Sequence, residues 1–364
     1  MKNKPNPSLA IVIALLVIIG ILALTTVTVP ASLKINKDAS YYLFHQLLYG
    51  FLPGIILGLF IYFKVSLNLL KKLAFPLFLI SYFLMFLVLI PGIGRAELGA
   101  ARWLDIGPFS FQPSELLKIS TILYLSALLS SLKQRNLFTT FLFFVGLIFL
   151  ALIVQKNLST LIIISCISFV IFFCAKTSIK HNVILWGLSL LGFLTMILLT
   201  PFRMQRLMTY LNPNEDVLGA GYQTQQSLIS IGSGGLFGAG LGFSAQKYGF
   251  VPQAMSDCIF AVFAEETGFF GAFFLIALFL SFTYICFSLY KKESDMFSKL
   301  IIIGVGSWFS IQAFMNIGAM INIVPLSGTP LPFLSYGGSH IIVELIACAI
   351  LLKASSRQSH LLKT

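Results

Sequence analysis

A chain of 364 residues that is 58% hydrophobic, only 10% charged and has a mean hydropathy of +0.95 carries too few charges to cover a soluble protein of its size. Its apolar residues run in long uninterrupted stretches, so the expected fold is all-α, a polytopic membrane bundle; intrinsic disorder, a disulfide scaffold and a soluble Rossmann or barrel enzyme are excluded. The net charge of +12 comes from basic residues scattered singly between apolar runs, which suits topology signals and anionic membrane lipids rather than nucleic acid.

Lys2 and Lys4 precede an apolar run longer than the core of a signal peptide, so residues 8–30 are expected as an uncleaved first span. Further spans are expected at 41–63, 73–91, 112–131, 137–154, 158–175, 182–200, 256–290, 300–321 and 339–353, ten in all, each judged against the roughly 20 apolar residues that cross a bilayer. The 256–290 run is too long for one upright helix and is expected to tilt strongly or project beyond the bilayer. Fifteen of the 24 Lys and Arg residues fall on the side that holds Met1, eight on the other, and Lys118 lies inside a span. An excess of basic residues in short loops marks the cytoplasm, which predicts both termini cytoplasmic. The five cysteines are odd in number and form no CxxC, so they are read as small buried residues rather than disulfide or zinc ligands.

The other, extracytoplasmic side holds the longer connections 92–111, 201–255 and 322–338. The 201–255 segment is rich in glycine, which suits tight turns and close backbone approach to a ligand. Its apolar patches (Leu228, Ile229, Ile231, Leu236, Phe237) lay it against the membrane, so residues 1–364 are read as a single membrane domain with one large outer loop. Function is expected on this outer face.

Charged groups inside a bilayer cost a few kcal/mol or more each and are functional suspects. Glu115 and Lys118 share a helix face three residues apart; they form a buried packing pair, part of a substrate cavity, or both, with the pair shaping a polar pocket. Glu265 and Glu266 point about 100° apart and cannot make a side-by-side dyad. Glu344 suits an interhelical hydrogen bond. Asp257 stands at the outer mouth of the long run, where it either caps a helix or acts on a substrate. Arg203, Arg206 and Lys247 lie in the outer loop, where they bind lipid headgroups or a phosphate-bearing substrate. His45 and His181 have no partner at metal-site spacing. The GxGxG-like run at Gly234–Gly242 lacks a βαβ setting and a Walker lysine, which argues against nucleotide-driven work.

Three strings are more specific. Ala101-Arg102-Trp103-Leu104-Asp105-Ile106-Gly107 runs into Gln112-Pro113-Ser114-Glu115-Leu116-Leu117-Lys118. Gly232 to Gly242 continues to Asp257-Cys258-Ile259-Phe260-Ala261 and Glu265-Glu266-Thr267-Gly268. Pro325-Leu326-Ser327-Gly328-Thr329-Pro330-Leu331-Pro332-Phe333 leads to Ser335-Tyr336-Gly337-Gly338-Ser339. Together they resemble the SEDS family (shape, elongation, division and sporulation), with FtsW and RodA among its members, over residues 10–353. Met255–Phe260 looks closer to FtsW.

The resemblance implies ten membrane helices and peptidoglycan glycosyltransfer: lipid II is polymerised into glycan strands on the outer face of the bacterial cytoplasmic membrane, beside a class B penicillin-binding protein. A RodA-like elongation polymerase, a lipid II flippase using the intramembrane carboxylates, and a silent scaffold are the alternatives. Carried over by motif, Asp257 is the essential acid, and Glu115, Lys118, Arg203, Arg206, Lys247 and Ser339 are expected to bind substrate. Asp257 would take the proton of the acceptor 4-hydroxyl, and Arg203, Arg206 and Lys247 would stabilise the leaving diphosphate. A divalent cation, Mg²⁺ or Mn²⁺, could share that task. Two departures remove negative charge near the site: Asn157, beside Lys156, stands where the family usually has an acid, and Gln253 replaces the usual Glu. The transfer also needs a crevice at Asp257 wide enough for two lipid-borne disaccharides.

Overall fold

The computed structural model describes residues 5–356 apart from 36, 98–99, 107–108, 132–136, 176, 199–200 and 212–219, and the backbone alone at 96–97, 100, 106, 109, 196, 201–203 and 220. The chain is a helical bundle. Its helices are α1 (Pro7–Val27), α2 (Val29–Lys34), α3 (Tyr41–Gln46), α4 (Leu52–Lys64), α5 (Leu67–Leu87), α6 (Pro113–Ser131), α7 (Leu137–Val154), α8 (Leu158–Cys174), α9 (Ile179–Leu198), α10 (Pro201–Leu211), α11 (Ala220–Ser233), α12 (Ile259–Lys292), α13 (Met296–Met320) and α14 (Gly338–Ser355). A π-helical turn, Leu47–Phe51, joins α3 to α4 just ahead of Pro53, which has no N–H to continue a regular ladder.

Every stretch expected to cross the membrane holds a helix. Seven are long and apolar enough to span by length and composition; α8 and α9 are apolar but shorter, and α6 is diluted by Glu115, Lys118 and its serines. Short turns start helices with side-chain caps: Asn6 Oδ1 accepts from Leu9 N, Ser66 Oγ from Leu69 N and Asp295 Oδ2 from Ser298 N.

The centre of the bundle is α13, packed by α6, α8, α12 and α14. Small residues allow this approach, which in a membrane rests on close packing rather than on a water-driven effect. A side-chain carbon at Gly304 would come within 2.8 Å of Ile122 on α6 and 2.9 Å of Ile171 on α8; one at Gly306 would come within 2.8 Å of Cys286 on α12. Gly50, Gly54 and Gly58 give the second helix pair the same kind of face against Ile341, Ile342 and Leu345 of α14.

Two parts of the outer segments were read as loop and are ordered. Residues 94–111 contain an antiparallel three-stranded sheet, β1 (Gly94–Glu97), β2 (Ala100–Ile106) and β3 (Phe109–Phe111). The 201–255 segment contains α10 and α11, which pack on α9 and α12.

The long run departs from expectation most. It is not one continuous rod: α12 breaks at Gly268, whose φ of 69° and ψ of −169° lie outside helical space. A broken helix at membrane depth must have its freed N–H and C=O groups satisfied by protein. The glycine-rich run supplies the partners. Ala239 N and Gly240 N donate to the carbonyls of Glu265 and Glu266 at 2.9 and 3.0 Å, and Phe269 N and Phe270 N donate to those of Gly235 and Leu236 at 2.9 and 3.3 Å. A side-chain carbon at Gly268 would come within 2.6 Å of Leu236 O, and one at Gly238 within 2.7 Å of Gly268 N. Gly238 and Gly268 therefore serve the close approach of backbone to backbone.

Candidate active site

Asp257 sits immediately before the first half of α12, the part that precedes the break at Gly268. It is not the helix cap: that position is Cys258, without a side-chain cap bond. Its backbone is clamped instead. Asn316 Nδ2 donates to Asp257 O and to Thr329 O, both at 2.7 Å, Ser335 Oγ donates to Ser256 O at 2.5 Å, and Tyr336 N donates to Met255 O at 2.8 Å. The Pro325–Ser339 string thus wraps the turns that lead into α12.

The Asp257 carboxylate is half-buried and accepts no hydrogen bond among the described residues. Burial pushes it up to about 6, while the Arg206 guanidinium pulls the other way. Gly328 lies between them: a carbon added there would be 3.4 Å from Asp257 Oδ2 and 3.9 Å from Arg206 Nη1. Arg206, on α10, donates from Nη1 to Leu326 O at 3.1 Å. Burial lowers its own value and Asp257 raises it again. Arg203 stands one turn earlier on α10, and its side chain lies outside the described residues.

Sequence reasoning missed Arg102 as a site residue, counting it as an outer-loop charge inside a motif. It stands on β2 and is lowered by burial and then by Arg206, so the two cations share one neighbourhood. The ARWLDIG string was the available signal.

Lys247 is buried, with Nζ 2.8 Å from Glu266 Oε1 and 2.8 Å from Gly242 O, so its charge faces a carboxylate inside the protein. Thr26 Oγ1 of α1 donates to Glu266 Oε2 at 2.7 Å. Glu265 accepts from Ser230 Oγ, Ser244 Oγ and Ala245 N at 2.8, 2.5 and 3.0 Å. Both carboxylates therefore brace the break in α12 from different sides, as their divergent directions require.

Ser339 is buried at the start of α14. Its hydroxyl donates to Ser110 O at 2.8 Å and accepts from Gln112 N at 3.2 Å, tying the start of α14 to β3 and α6. Ser339→Ala is expected to lower stability by about 1–3 kcal/mol, the range for stranding a buried polar partner, with the KM for lipid II unchanged; thermal unfolding in detergent and steady-state kinetics check both.

Glu115 and Lys118 form a buried pair at 2.8 Å. Lys118 Nζ also donates to Gln312 Oε1 at 2.9 Å and lies 4.8 Å from the Trp308 ring centroid; Trp308 Nε1 and Gln312 Nε2 carry the network on to Gln312 Oε1 and Pro330 O. The pair thus fastens α6 to α13 and to the segment beneath Asp257. Glu344 accepts from Phe333 N at 2.9 Å, a bond between α14 and that same segment.

For a divalent cation, the donor set is thin. Among the described residues no group of three His, Cys, Asp or Glu side chains stands together. Asn157 caps α8 by accepting from Thr160 N and donates to Ser114 Oγ, and Gln253 is engaged with Ser256 Oγ. Among the described residues this leaves Asp257, which suits an ion held by one carboxylate and substrate phosphates, as Mg²⁺ often is.

Among the described residues, the cleft beside Arg206, lined by Thr209, Tyr210, Thr224, Asn322 and Leu326, is far narrower than the crevice expected for two lipid-borne disaccharides. The cause is local: Arg206 Nη1 is bonded to Leu326 O, and Tyr210 Oη donates to Ile323 O at 2.9 Å, drawing α10 onto the segment after α13.

Fold and site together define a polytopic helical membrane protein with a half-buried acid and flanking arginines at one rim of the bundle. The family model described as "Cell cycle protein" (FTSW_RODA_SPOVE) matches residues 7–360, and the chain belongs to this family, the SEDS proteins. Stage V sporulation protein E of Bacillus subtilis is 36% identical over 97% of this chain and 98% of its own length. The "Probable peptidoglycan glycosyltransferase FtsW" of Geobacter sp. (strain M18) is 32% identical over 93% of each chain. Among solved structures, a chain from a peptidoglycan synthase complex that coordinates polymerization and crosslinking aligns with a TM-score of 0.79 at 25% identity, over 98% of both chains. The rod shape determining protein RodA of Thermus thermophilus aligns with a TM-score of 0.73 at 25% identity, again over 98% of both.

Proposed function

We propose that this chain is a peptidoglycan glycosyltransferase of the FtsW type, polymerising lipid II on the extracytoplasmic face of the cytoplasmic membrane during cell division, with a class B penicillin-binding protein as its transpeptidase partner. Family membership and the FtsW relatives support the activity, and the likeness to a chain of a peptidoglycan synthase complex supports the partnership. The observation that carries the chemistry is the Asp257 carboxylate: raised to about 6, accepting no hydrogen bond among the described residues, and set beside Arg206.

The acceptor's 4-hydroxyl oxygen attacks the donor's anomeric carbon from the face opposite the leaving group. The new C–O bond forms as the bond from that carbon to the diphosphate oxygen breaks; the electron pair leaves with the polyprenyl diphosphate and the hydroxyl proton passes to Asp257. A base with a value near 6 is ionised at neutral pH yet retains useful basicity. Arg206 stabilises the departing negative charge. A divalent cation held by Asp257 and the substrate phosphates would add further neutralisation. Because the cleft is narrow, α10 must draw away from Ile323 and Leu326 to admit two lipid-linked sugars.

A flippase driven by intramembrane protons is less well supported, because Glu115, Glu265 and Glu266 are each held by a cation or by several donors. With lipid II in detergent, the polymerisation rate is expected to rise as pH passes through about 6 and then level, as the base loses its proton. A rate flat from pH 5 to 8 would remove Asp257 as the base, and no glycan at any pH would overturn the function.

A further inference from the structure

Residues 335–337 are held from two sides. On one side they grip the chain just ahead of Asp257: Ser335 Oγ donates to Ser256 O, and Tyr336 N donates to Met255 O. On the other side two neighbouring residues of α3 hold them. Tyr336 Oη and His45 Nδ1 share a hydrogen bond of 2.9 Å, and the Tyr42 ring meets the Tyr336 ring edge-on with 5.4 Å between centroids. Gln46 is buried and closes a reciprocal pair with the next residue: its Nε2 donates to Gly337 O at 3.2 Å, and its Oε1 accepts from Gly337 N at 3.0 Å. The π-helical turn Leu47–Phe51 follows directly, and a side-chain carbon at Gly50 within it would come within 2.7 Å of Ile341 on α14. Such turns are rare and recur at functional sites. Close packing at Gly54 and Gly58 already holds α4 against α14. Hydrogen bonds, which require an angle as well as a distance, add an orientation that packing does not.

We propose that His45 is a positioning residue for Asp257, acting through Tyr336, while Gln46 holds the backbone of the residue that follows. The path runs from His45 Nδ1 to the Tyr336 hydroxyl, and from the Tyr336 N–H to the carbonyl of Met255, two residues before the acid. The proposal rests on the glycosyltransferase reading, with Asp257 as the base, and adds the group that fixes where that base stands. Placement matters because a displacement of about 1 Å at a reacting group can cost about 100-fold in rate. A role confined to seating α3 on the bundle is the rival to be separated.

The test measures steady-state polymerisation of lipid II by the full-length protein in detergent with a class B penicillin-binding protein, for wild type, His45→Leu, Tyr336→Phe and the double variant. His45→Leu is expected to lower kcat by roughly 3- to 10-fold, the worth of one ordinary hydrogen bond, with the KM for lipid II within about twofold of wild type. Tyr336→Phe is expected to lose the same factor, and the double variant no more than either single one, because both remove one bond. Unchanged kcat in His45→Leu overturns the positioning role, as does a raised KM in place of the fall in kcat, or losses that multiply in the double variant. If His45→Leu fails to fold, Tyr336→Phe, which deletes one hydroxyl, decides by the same readings of kcat and KM. Amide hydrogen exchange of the segments 255–258 and 335–337 is followed by mass spectrometry on the same preparations and is expected to quicken by roughly threefold or more in His45→Leu. Unchanged exchange there overturns the proposal whatever the activity. A wild type that makes no glycan sinks the glycosyltransferase reading, whereas glycan made equally well by wild type and His45→Leu sinks the positioning role alone.

Discussion

Asp257→Asn is expected to lower the polymerisation rate by roughly 10²- to 10⁴-fold, the usual worth of a general base, while the protein remains folded. Asn keeps the shape and loses only the proton acceptor. The backbone clamp is indifferent to the change, because Asn316, Ser335 and Tyr336 bind main-chain oxygens at 255–257 and not the carboxylate. Stability separates catalysis from folding. The folded value of about 6 lies above the ordinary 3.8, so the stability linked to this group is full below 3.8 and is lost as pH rises through about 6. The ionised carboxylate is therefore a burden at neutral pH, and Asp257→Asn should melt at the same temperature as wild type or higher. A variant that loses activity and melting temperature together would place Asp257 in the scaffold.

Lys247→Met is expected to have the largest effect on stability. The substitution leaves Glu266 buried at the break in α12 with only the Thr26 hydroxyl for company. Removing one partner of a buried pair costs about 3–5 kcal/mol because the other charge is stranded, whereas removing both is often close to neutral. Lys247→Met with Glu266→Gln should therefore recover most of what Lys247→Met alone loses, a non-additivity that a double-mutant cycle in thermal or denaturant unfolding measures. If Lys247 bound substrate instead, the single variant would raise KM with an unchanged melting temperature, and Glu266→Gln would rescue nothing.

The spans were legible because uninterrupted apolar runs have few other uses, and ten of them coincide with helices. The acid–arginine site was legible only through the motif strings, since nothing local distinguishes Asp257 from a helix cap. The ion pair of Lys247 was not legible for a physical reason: a lysine in a glycine-rich loop looks like a phosphate ligand, and its partner Glu266 lies 19 residues away, just before the helix break at Gly268. That break left no mark either. Gly268 is one glycine in an apolar run, and only the pairing of its neighbours with Gly235–Gly240 explains why so many glycines occur there. Ser339 carried chemistry by motif but spends its hydroxyl on Ser110 O and Gln112 N. Arg102 went unassigned because its neighbour Arg206 is more than a hundred residues distant in sequence. The strands and α10–α11 escaped because short or amphipathic segments lack the apolar length that revealed the spans.

The most direct measurement incubates the purified full-length protein, with a class B penicillin-binding protein, on lipid II in detergent with neither nucleotide nor ion gradient, and reads product length on a gel. A ladder of glycan strands from wild type that disappears with Asp257→Asn is the expected result. Lipid II recovered unpolymerised from the wild type, or an undiminished ladder from Asp257→Asn, would contradict an acid at the outer rim that joins one sugar to the next.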